Sequence, residues 1–192
     1  MVAAELMAVC SSPRRFYLLM TMLLLFSAQT QAAGISITSA SSEKNKGVYQ
    51  LNADIRYEFS DEVLEALNNG VSITILLTIK LERQRAYLWD ESILTLLRRY
   101  EMRYHALSGQ YIVKKMITGE QQSYLSLESA LRALGRIQQL PLIGQDLLKD
   151  LDDVVVRIHS ELDTNALPAP LRPVAWLEAG WQLRSGWFTC PL

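Results

Sequence analysis

The chain has two histidines, His105 and His159, and these are the residues best suited to acid–base chemistry or metal binding. Each falls on the polar side of an alternating stretch, near Glu101 and Glu161 respectively. If the two stretches were neighbours, these imidazoles and carboxylates would form a metal-binding or proton-transferring cluster. The sequence shows neither that adjacency nor the ligand spacing of a zinc site. We therefore predict solvated histidines, no metal and no cofactor, with an enzyme that uses His105 or His159 as an alternative.

No motif of an activated nucleophile is present in the sequence. The chain has no Gly-x-Ser-x-Gly motif and no Gly-rich phosphate-binding loop. Its two cysteines are Cys10 and Cys190, and removal of the leader described below leaves Cys190 alone. A lone cysteine forms no internal disulfide, and it becomes reactive only beside a base or a cation. We predict no catalytic residue, so a non-enzymatic role fits the sequence best.

Arginines form two groups along the chain. Arg83 and Arg85 flank one glutamine, and Arg98 and Arg99 precede Arg103. Such groups can bind a lipid head group, a glycan or an acidic protein partner. The alternative is that these charges protect the exposed ends of strands from pairing with other chains. We predict that Arg83 and Arg85 belong to a binding site.

Tryptophans are concentrated near the C-terminus, where Trp176, Trp181 and Trp187 fall within twelve residues. They follow residues 167–173, whose three prolines predict an extended segment. Indole rings stack on sugars and anchor protein partners. The alternative is a last strand that closes the core, with Trp181 and Trp187 on one face. The full set of predicted partner- or ligand-binding residues is Arg83, Arg85, Trp89, His105, Trp181 and Trp187.

Length and charge limit the classes to which the protein can belong. Its 192 residues suit one domain with a short appendage, and 49% apolar residues exclude wholesale disorder. Lys and Arg number 19 against 20 Asp and Glu, which gives a formal charge of −1. A general nucleic-acid binder would show a basic excess, so we predict no nucleic-acid partner.

The N-terminal residues have the three parts of a secretory signal peptide. Arg14 and Arg15 precede an apolar run at residues 16–26, and small and polar residues follow up to Ala33. The run is about half of the ~20 residues that a membrane-spanning helix needs. Export by the general pathway is therefore the prediction, and an uncleaved N-terminal anchor is the alternative.

We predict cleavage after Ala32. Residues 1–32 would then be the signal peptide, and residues 33–192 a single β-rich domain with a Pro- and Trp-rich C-terminal segment. Without the leader, 17 Lys and Arg remain against 19 Asp and Glu, a formal charge of −2. Membrane contact is predicted only through the signal segment before cleavage.

Beyond the leader, polar and apolar residues alternate over long stretches, which is typical of strands with one buried face. These stretches include residues 49–59, 71–81, 98–106 and 154–162. Ser60 and Ser126 precede short apolar stripes as N-caps, which predicts two short helices, and Ser108-Gly109 predicts a hairpin turn. We predict a mainly β (α+β) fold, an antiparallel sheet or β-sandwich of long strands with two short helices.

A series of short motifs, taken in order, resembles the Gram-negative bacterial family known as domain of unknown function 4390, also labelled a proline-rich signal peptide protein. The motifs are Glu65-Ala66-Leu67 with Gly70-Val71, Arg83-x-Arg85, Trp89-Asp90, Tyr104-His105-Ala106-Leu107-Ser108 with Tyr111, Ser126-Leu127, Ala130-Leu131, Leu134-Gly135, Leu162-Asp163, Leu167-Pro168-x-Pro170-Leu171-Arg172-Pro173 and Trp181-x-Leu183-x-Ser185-x-Trp187. The resemblance covers the chain from about Ile35 to its end. It departs from the family at Gly186 and Cys190, where the family's tail tends to be aromatic.

The resemblance implies export but no activity. Members of the family look like exported proteins that are often encoded beside a sensor histidine kinase of the nitrogen-regulation type and its response regulator. This implies a periplasmic, non-enzymatic accessory module that binds a protein partner, with the periplasmic part of the kinase as that partner. The alternative hypothesis is a periplasmic carrier that holds a lipid or another apolar ligand within the sheet.

Overall fold

The computed structural model describes residues 33–85, 89–148 and 153–192. The predicted signal peptide, its cleavage site after Ala32 and Cys10 lie outside the described residues. The described residues form nine strands: β1 (Gly34–Asn45), β2 (Val48–Glu58), β3 (Ile73–Arg83), β4 (Glu91–His105), β5 (Gln110–Lys115), β6 (Gln121–Tyr124), β7 (Arg136–Gly144), β8 (Val154–Leu162) and β9 (Phe188–Pro191). They also form three α-helices, α1 (Asp61–Asn68), α2 (Leu127–Gly135) and α3 (Arg172–Leu177), and 3-10 turns at Gln145–Leu148, Thr164–Ala166 and Ala179–Trp181. Within these ranges, no helix is both long and apolar enough to cross a membrane.

The strands form two antiparallel sheets that pack face to face. The smaller sheet has the order β1-β2-β7, and the larger has the order β6-β5-β4-β3-β8-β9. The inner faces of both sheets contribute to one hydrophobic core, so the fold is a β-sandwich. A buried hydrogen bond joins the sheets, with Tyr57 Oη and Ser160 Oγ 3.1 Å apart. The prediction of a mainly β, antiparallel fold is confirmed.

Strand β3 lies inside the larger sheet and shows why strict alternation specifies a strand. Its odd-numbered residues from Ile73 to Leu81 are fully buried in the core, whereas the even-numbered residues between them face outward. Each buried aliphatic side chain contributes about 1.5–3 kcal/mol, and a slip by one residue would expose all of them. The strand begins two residues later than predicted, because Val71 N donates to Ala66 O at 3.0 Å and thereby closes α1.

Both predicted helices are confirmed, and both begin after a serine cap. Ser60 Oγ accepts a hydrogen bond from Val63 N ahead of α1, and Ser126 caps α2 in the same way. Helix α3 corrects the prediction that residues 167–173 are extended throughout. Pro173 lies in the first turn of α3, where a backbone N–H would have no helical acceptor, so proline does not interrupt the helix.

The predicted last strand, from Trp181 to Trp187, is only partly present. The alternation of buried side chains holds from Trp181 to Ser185 but fails at Trp187, which lies on the other side of the larger sheet. Ser160 N of β8 donates to the side-chain oxygen of Ser185 at 2.9 Å instead of to a backbone carbonyl. This side-chain hydrogen bond interrupts the strand pairing before β9 begins.

Strands β1 and β7 were not predicted from the sequence. Strand β1 is rich in serine, and a bulge between Ile37 and Ser39 shifts its alternation. Strand β7 has two irregularities in its pairing with β2, a left-handed residue at Gln139 with φ of 51°, and Pro141. A bulge adds one residue to one strand and reverses the phase of the two-residue period. The pattern that identifies a strand is therefore interrupted in both.

The sandwich is closed on one side and open on the other. On the closed side β1 and β9 are in contact, and Ser42 Oγ donates to Pro191 O at 2.8 Å. On the other side the edge strands are β7 and β6, and helix α2 contacts both of them as well as β2 and β5. The C-terminal residue of α2, Gly135, lies directly against the backbone of Ile55 in β2.

The buried hydroxyl of Tyr57 predicts a pH dependence of stability. Burial raises the pKa of Tyr57 well above its ordinary value of 10, although the hydrogen bond to Ser160 partly opposes this. The unfolded chain loses this proton near pH 10 and the folded chain keeps it. Stability is therefore complete below pH 10 and falls above it, by about 1.4 kcal/mol per pH unit for one proton.

The matched variant is Tyr57→Phe. At pH 8 it is expected to lose about 1 kcal/mol, because the hydrogen bond to Ser160 is absent. Above pH 10 its free energy of unfolding should fall less steeply than that of the native chain, so the two curves converge. Urea unfolding at pH 8, 10 and 11 measures both effects. If the free energy of unfolding falls equally steeply with pH in both proteins, Tyr57 is not the group responsible for the loss of stability.

Candidate functional site

Three of the predicted binding residues share one end of the larger sheet. Arg83 ends β3 opposite Glu91 of β4, and Arg85 forms an ion pair with the same glutamate. Trp89 is almost fully exposed, at 94% of its surface. The ion pair of Arg85 with Glu91 thus joins the segment after β3 to the start of β4, and Trp89 is exposed to solvent nearby.

His105 and His159 are not neighbours, so the two histidines do not form the cluster that adjacent strands would have allowed. Strand β3 lies between β4 and β8. Thr78 of β3 is paired in register with His159 of β8 on one side and with Leu97 of β4 on the other. His105 lies eight residues farther along β4, roughly 27 Å at about 3.4 Å per residue. His105 is exposed, with Nδ1 3.0 Å from Ser108 Oγ in the hairpin turn. Among the described residues, no group of His, Cys, Asp and Glu side chains is arranged to hold a metal ion.

Trp187 lies over a row of cationic side chains on the outer face of the larger sheet. Its ring stacks on His159 with centroids 4.9 Å apart. Lys80 Nζ is 4.9 Å and Arg157 Cζ is 5.1 Å from the centre of the indole ring. Arg157 also donates to Glu82 at 3.0 Å. Cation–π contacts of this kind hold the segment before β9 on the sheet.

Trp181 lies in a different place. It is buried to 3% exposure in the core, so its indole ring packs inside the sandwich, whereas Trp187 lies outside it. Cys190 is also buried on the inner side, and burial raises the pKa of its thiol. The structure therefore does not bring the six predicted binding residues together into one site.

A concavity lies on the open side of the sandwich, and we call it the cleft. Its walls are β4, β5 and β6 of the larger sheet, helix α2, and β7 of the smaller sheet, and its volume is about 620 Å³. Its apolar surface includes Tyr100, Val113, Tyr124, Leu134, Ile137 and Leu140. A volume of this size is within the range of roughly 300–1,000 Å³ that small-molecule sites occupy.

Cationic residues outnumber acidic ones around the cleft. The lining contains Arg98, Arg99, Lys115, Arg132 and Arg136, with Glu120 as its acidic residue. An apolar floor with a cationic rim suits a ligand that has an apolar part and a negative charge.

Four of these five cations have a carboxylate partner. Lys115 Nζ is 2.9 Å from Glu120, Arg99 Nε is 3.4 Å from Asp163, and Arg136 Nε is 4.0 Å from Asp54. Arg132 pairs with Glu128 one turn earlier in α2. Arg98 differs, since within the described ranges its only hydrogen bond is a long one of 3.4 Å to Leu97 O.

Arg98 belongs to the inner face of β4. The inner row of this strand runs through Leu96, Arg98, Tyr100 and Met102, and Arg98 is paired in register with the buried Leu77 of β3. Burial raises the pKa of the Tyr100 hydroxyl, and the positive charges of Lys115 and Arg98 partly oppose this rise. Arg98, Tyr100 and Lys115 thus all line the cleft, from neighbouring positions of β4 and β5.

Arg98 was predicted to belong to one basic patch with Arg99 and Arg103, and the structure separates Arg98 from the other two. Arg99 faces outward toward Asp163, and Arg103 is exposed on the same outer face. One feature of the sequence could have indicated the inward position of Arg98. Arg98 continues the alternation of inward-facing residues that begins at Leu94. This feature was missed because the strand was predicted to start at Arg98 and in fact starts at Glu91.

Comparison with known proteins identifies a family but no described relative. A family model described as Domain of unknown function (DUF4390) matches residues 32–191 and confirms the resemblance found in the motifs. No curated protein and no solved structure matches the chain.

Proposed function

Since the chain belongs to the family described as Domain of unknown function (DUF4390), whose description names no activity, we propose its function from its own geometry. The protein is an exported, non-enzymatic binding protein that carries a small apolar or amphipathic ligand in the cleft. The sequence leaves open a module that binds a protein partner and a carrier of an apolar ligand, and the cleft supports the carrier. The observation that carries the proposal is a concavity of about 620 Å³ with an apolar floor, at the open side of a sandwich whose other side is closed.

The edge strand beside the cleft also favours a small ligand over a peptide strand. Strand β7 has two pairing irregularities, a left-handed Gln139 and Pro141 at the edge of its sheet. Bulges and prolines prevent a further strand from pairing with an edge. Extension of the smaller sheet by a partner is therefore disfavoured at the same place where the cleft is open.

Export to the periplasm is part of this proposal and rests on the sequence. The basic, apolar and small-residue segments of residues 1–32 support it. Intact-mass analysis of the secreted protein is expected to give a chain that begins at Ala33. A secreted chain that retains residues 16–26 would contradict cleavage and favour an N-terminal anchor.

Ligand binding is tested with the neutral fluorescent probe N-phenyl-1-naphthylamine and by native mass spectrometry of the protein purified from the periplasm. We expect enhanced probe fluorescence and a co-purified small molecule. Ala133→Trp places a large ring in the cleft from α2 and should weaken probe binding about tenfold or more, a change of ~1.4 kcal/mol. Ser36→Trp, at an exposed position of β1, is the matched control and should bind normally. No probe binding and no co-purified molecule would overturn the proposal.

Docking of a protein partner is the second candidate, and a specific surface favours it. Helix α3 leaves Trp176 63% exposed and Leu177 87% exposed, and exposed apolar groups of this size are typical of interaction sites. We propose the periplasmic part of the sensor kinase as this partner. A photo-crosslinking residue at position 176 should capture it in cells, with the same residue at Ser36 as control. Equal capture from both positions, or from neither, would contradict this candidate.

A further inference from the structure

We infer that the cleft selects a single-chain amphiphile with an anionic head group, such as a long-chain fatty acid, and that Arg98 binds the head group. This inference rests on the proposed carrier function and names its class of ligand. It depends on the difference between Arg98 and the other cations of the cleft.

The charge arrangement leaves one cation available to a ligand. Arg99, Lys115, Arg132 and Arg136 each have a carboxylate partner within 4.0 Å, so an incoming anion would compete with that partner. Arg98 has no such partner among the described residues, and it stands in a row of apolar side chains. A guanidinium held partly out of water without a counterion is costly, and a bound carboxylate removes that cost through paired, charge-assisted hydrogen bonds.

The hydroxyl of Tyr100 provides a second polar contact near Arg98. Arg98 is two residues before Tyr100 on the inner face of β4. Lys115 of β5 is paired in register with Tyr100. A tyrosine hydroxyl is neutral at pH 7, and it can donate its proton in a hydrogen bond. A neutral donor beside a free guanidinium favours an oxyanion over an uncharged hydroxyl group.

The volume of the cleft matches a ligand with one chain. A water molecule occupies about 30 Å³ in the liquid, so about 620 Å³ accommodates roughly twenty groups of that size. One acyl chain with its carboxylate is of this size, whereas a two-chain phospholipid has more than twice as many non-hydrogen atoms. The buried walls that would contact the chain are Val113, Leu134 and Ile137.

The test compares dodecanoate with 1-dodecanol, which has the same chain without the charge. Displacement of N-phenyl-1-naphthylamine measures both affinities on the native protein. We expect dodecanoate to bind about 10- to 100-fold more tightly, as is usual for a hydrogen-bonded charged group. Arg98→Gln should reduce that ratio to about one. Arg103→Gln removes the same charge from the exposed face of β4 and should keep the native ratio.

The outcomes separate this inference from the proposed function. Equal affinities for dodecanoate and dodecanol on the native protein would overturn the anion preference and leave the carrier function intact. A native ratio in Arg98→Gln would overturn the role of Arg98. Failure of the probe and of both ligands to bind would overturn the proposed carrier function itself. Vesicles of phosphatidylglycerol test whether the ligand has one chain. Displacement of the probe by this two-chain lipid would contradict a preference for single-chain ligands.

Discussion

Replacing Gly135 by alanine is expected to lower the free energy of unfolding by about 3 kcal/mol or more, because the new methyl group collides with backbone. A Cβ at Gly135 would overlap the carbonyl oxygen of Ile55 and lie 3.0 Å from its carbonyl carbon. Both atoms belong to β2, inside the smaller sheet, and cannot rotate away as a side chain would. Helix α2 must therefore move off the sheet. For a domain of this size the melting temperature should fall by roughly 6–12 °C.

Thermal unfolding followed by circular dichroism measures this change, and two other glycines serve as controls. Gly144→Ala, at the end of β7, places its Cβ where no atom lies within 4 Å and should leave stability nearly unchanged. Gly180→Ala meets only the carboxylate of Glu62, which can rotate away, so its cost should be small. If Gly135→Ala unfolds at the same temperature as Gly144→Ala, the close packing of α2 on β2 is not present.

The same substitution should also affect binding, since α2 forms one wall of the cleft through Arg132, Ala133 and Leu134. Displacement of the helix from β2 changes the distance between this wall and β4. We therefore expect Gly135→Ala to weaken binding of N-phenyl-1-naphthylamine even at temperatures where the protein remains folded.

Replacing Trp181 by alanine is expected to destabilise the protein by about 3–5 kcal/mol, as is usual for a large aromatic residue removed from a core. Its side chain is 3% exposed and belongs to the central hydrophobic cluster. The turn that carries it contacts α1, and Ser60 Oγ donates to Gly180 O at 2.8 Å. Loss of the indole ring leaves a cavity beneath α1 that this hydrogen bond keeps from collapsing.

Trp89→Ala is the matched control for this substitution. Trp89 is 94% exposed, and surface changes away from special features usually stay within about ±0.5 kcal/mol. Urea unfolding followed by far-ultraviolet circular dichroism compares the two variants without relying on tryptophan fluorescence. Equal midpoints for Trp181→Ala and Trp89→Ala would contradict the placement of Trp181 in the core.

Local patterns predicted the elements whose determinants are local. Strand β8 has the bounds that its alternation predicts, and Gly109 has the positive φ of 62° that a hairpin turn at Ser108-Gly109 requires. The serine caps placed α1 and α2 because a capping hydrogen bond spans only three residues. Strands β1 and β7 were missed because bulges interrupt their period, and the start of β4 was missed because its first residues alternate poorly.

The six residues predicted as a binding site show the limit of residue type as evidence. Arg85, Trp89 and His105 are polar or aromatic and exposed, but they lie at opposite ends of β4. Trp181 and Trp187 are six residues apart in the chain and lie on opposite sides of the larger sheet. An indole ring that fills a core and one that covers a surface have the same appearance in a sequence.

What the sequence by itself determined is the class of the fold, the family and the positions of the regular strands and the two serine-capped helices, because periodicity, caps and turns act over a few neighbouring residues. The cleft was decided only by the tertiary structure. Its cations come from β4, β5, α2 and β7, and only the order β6-β5-β4-β3-β8-β9 places β4 and β5 opposite the edge of the smaller sheet. Alternation shows which face of a strand is buried but not which strand lies beside it. The pairing order that separates His105 from His159 also places Arg98 at the cleft, where it has no carboxylate partner among the described residues.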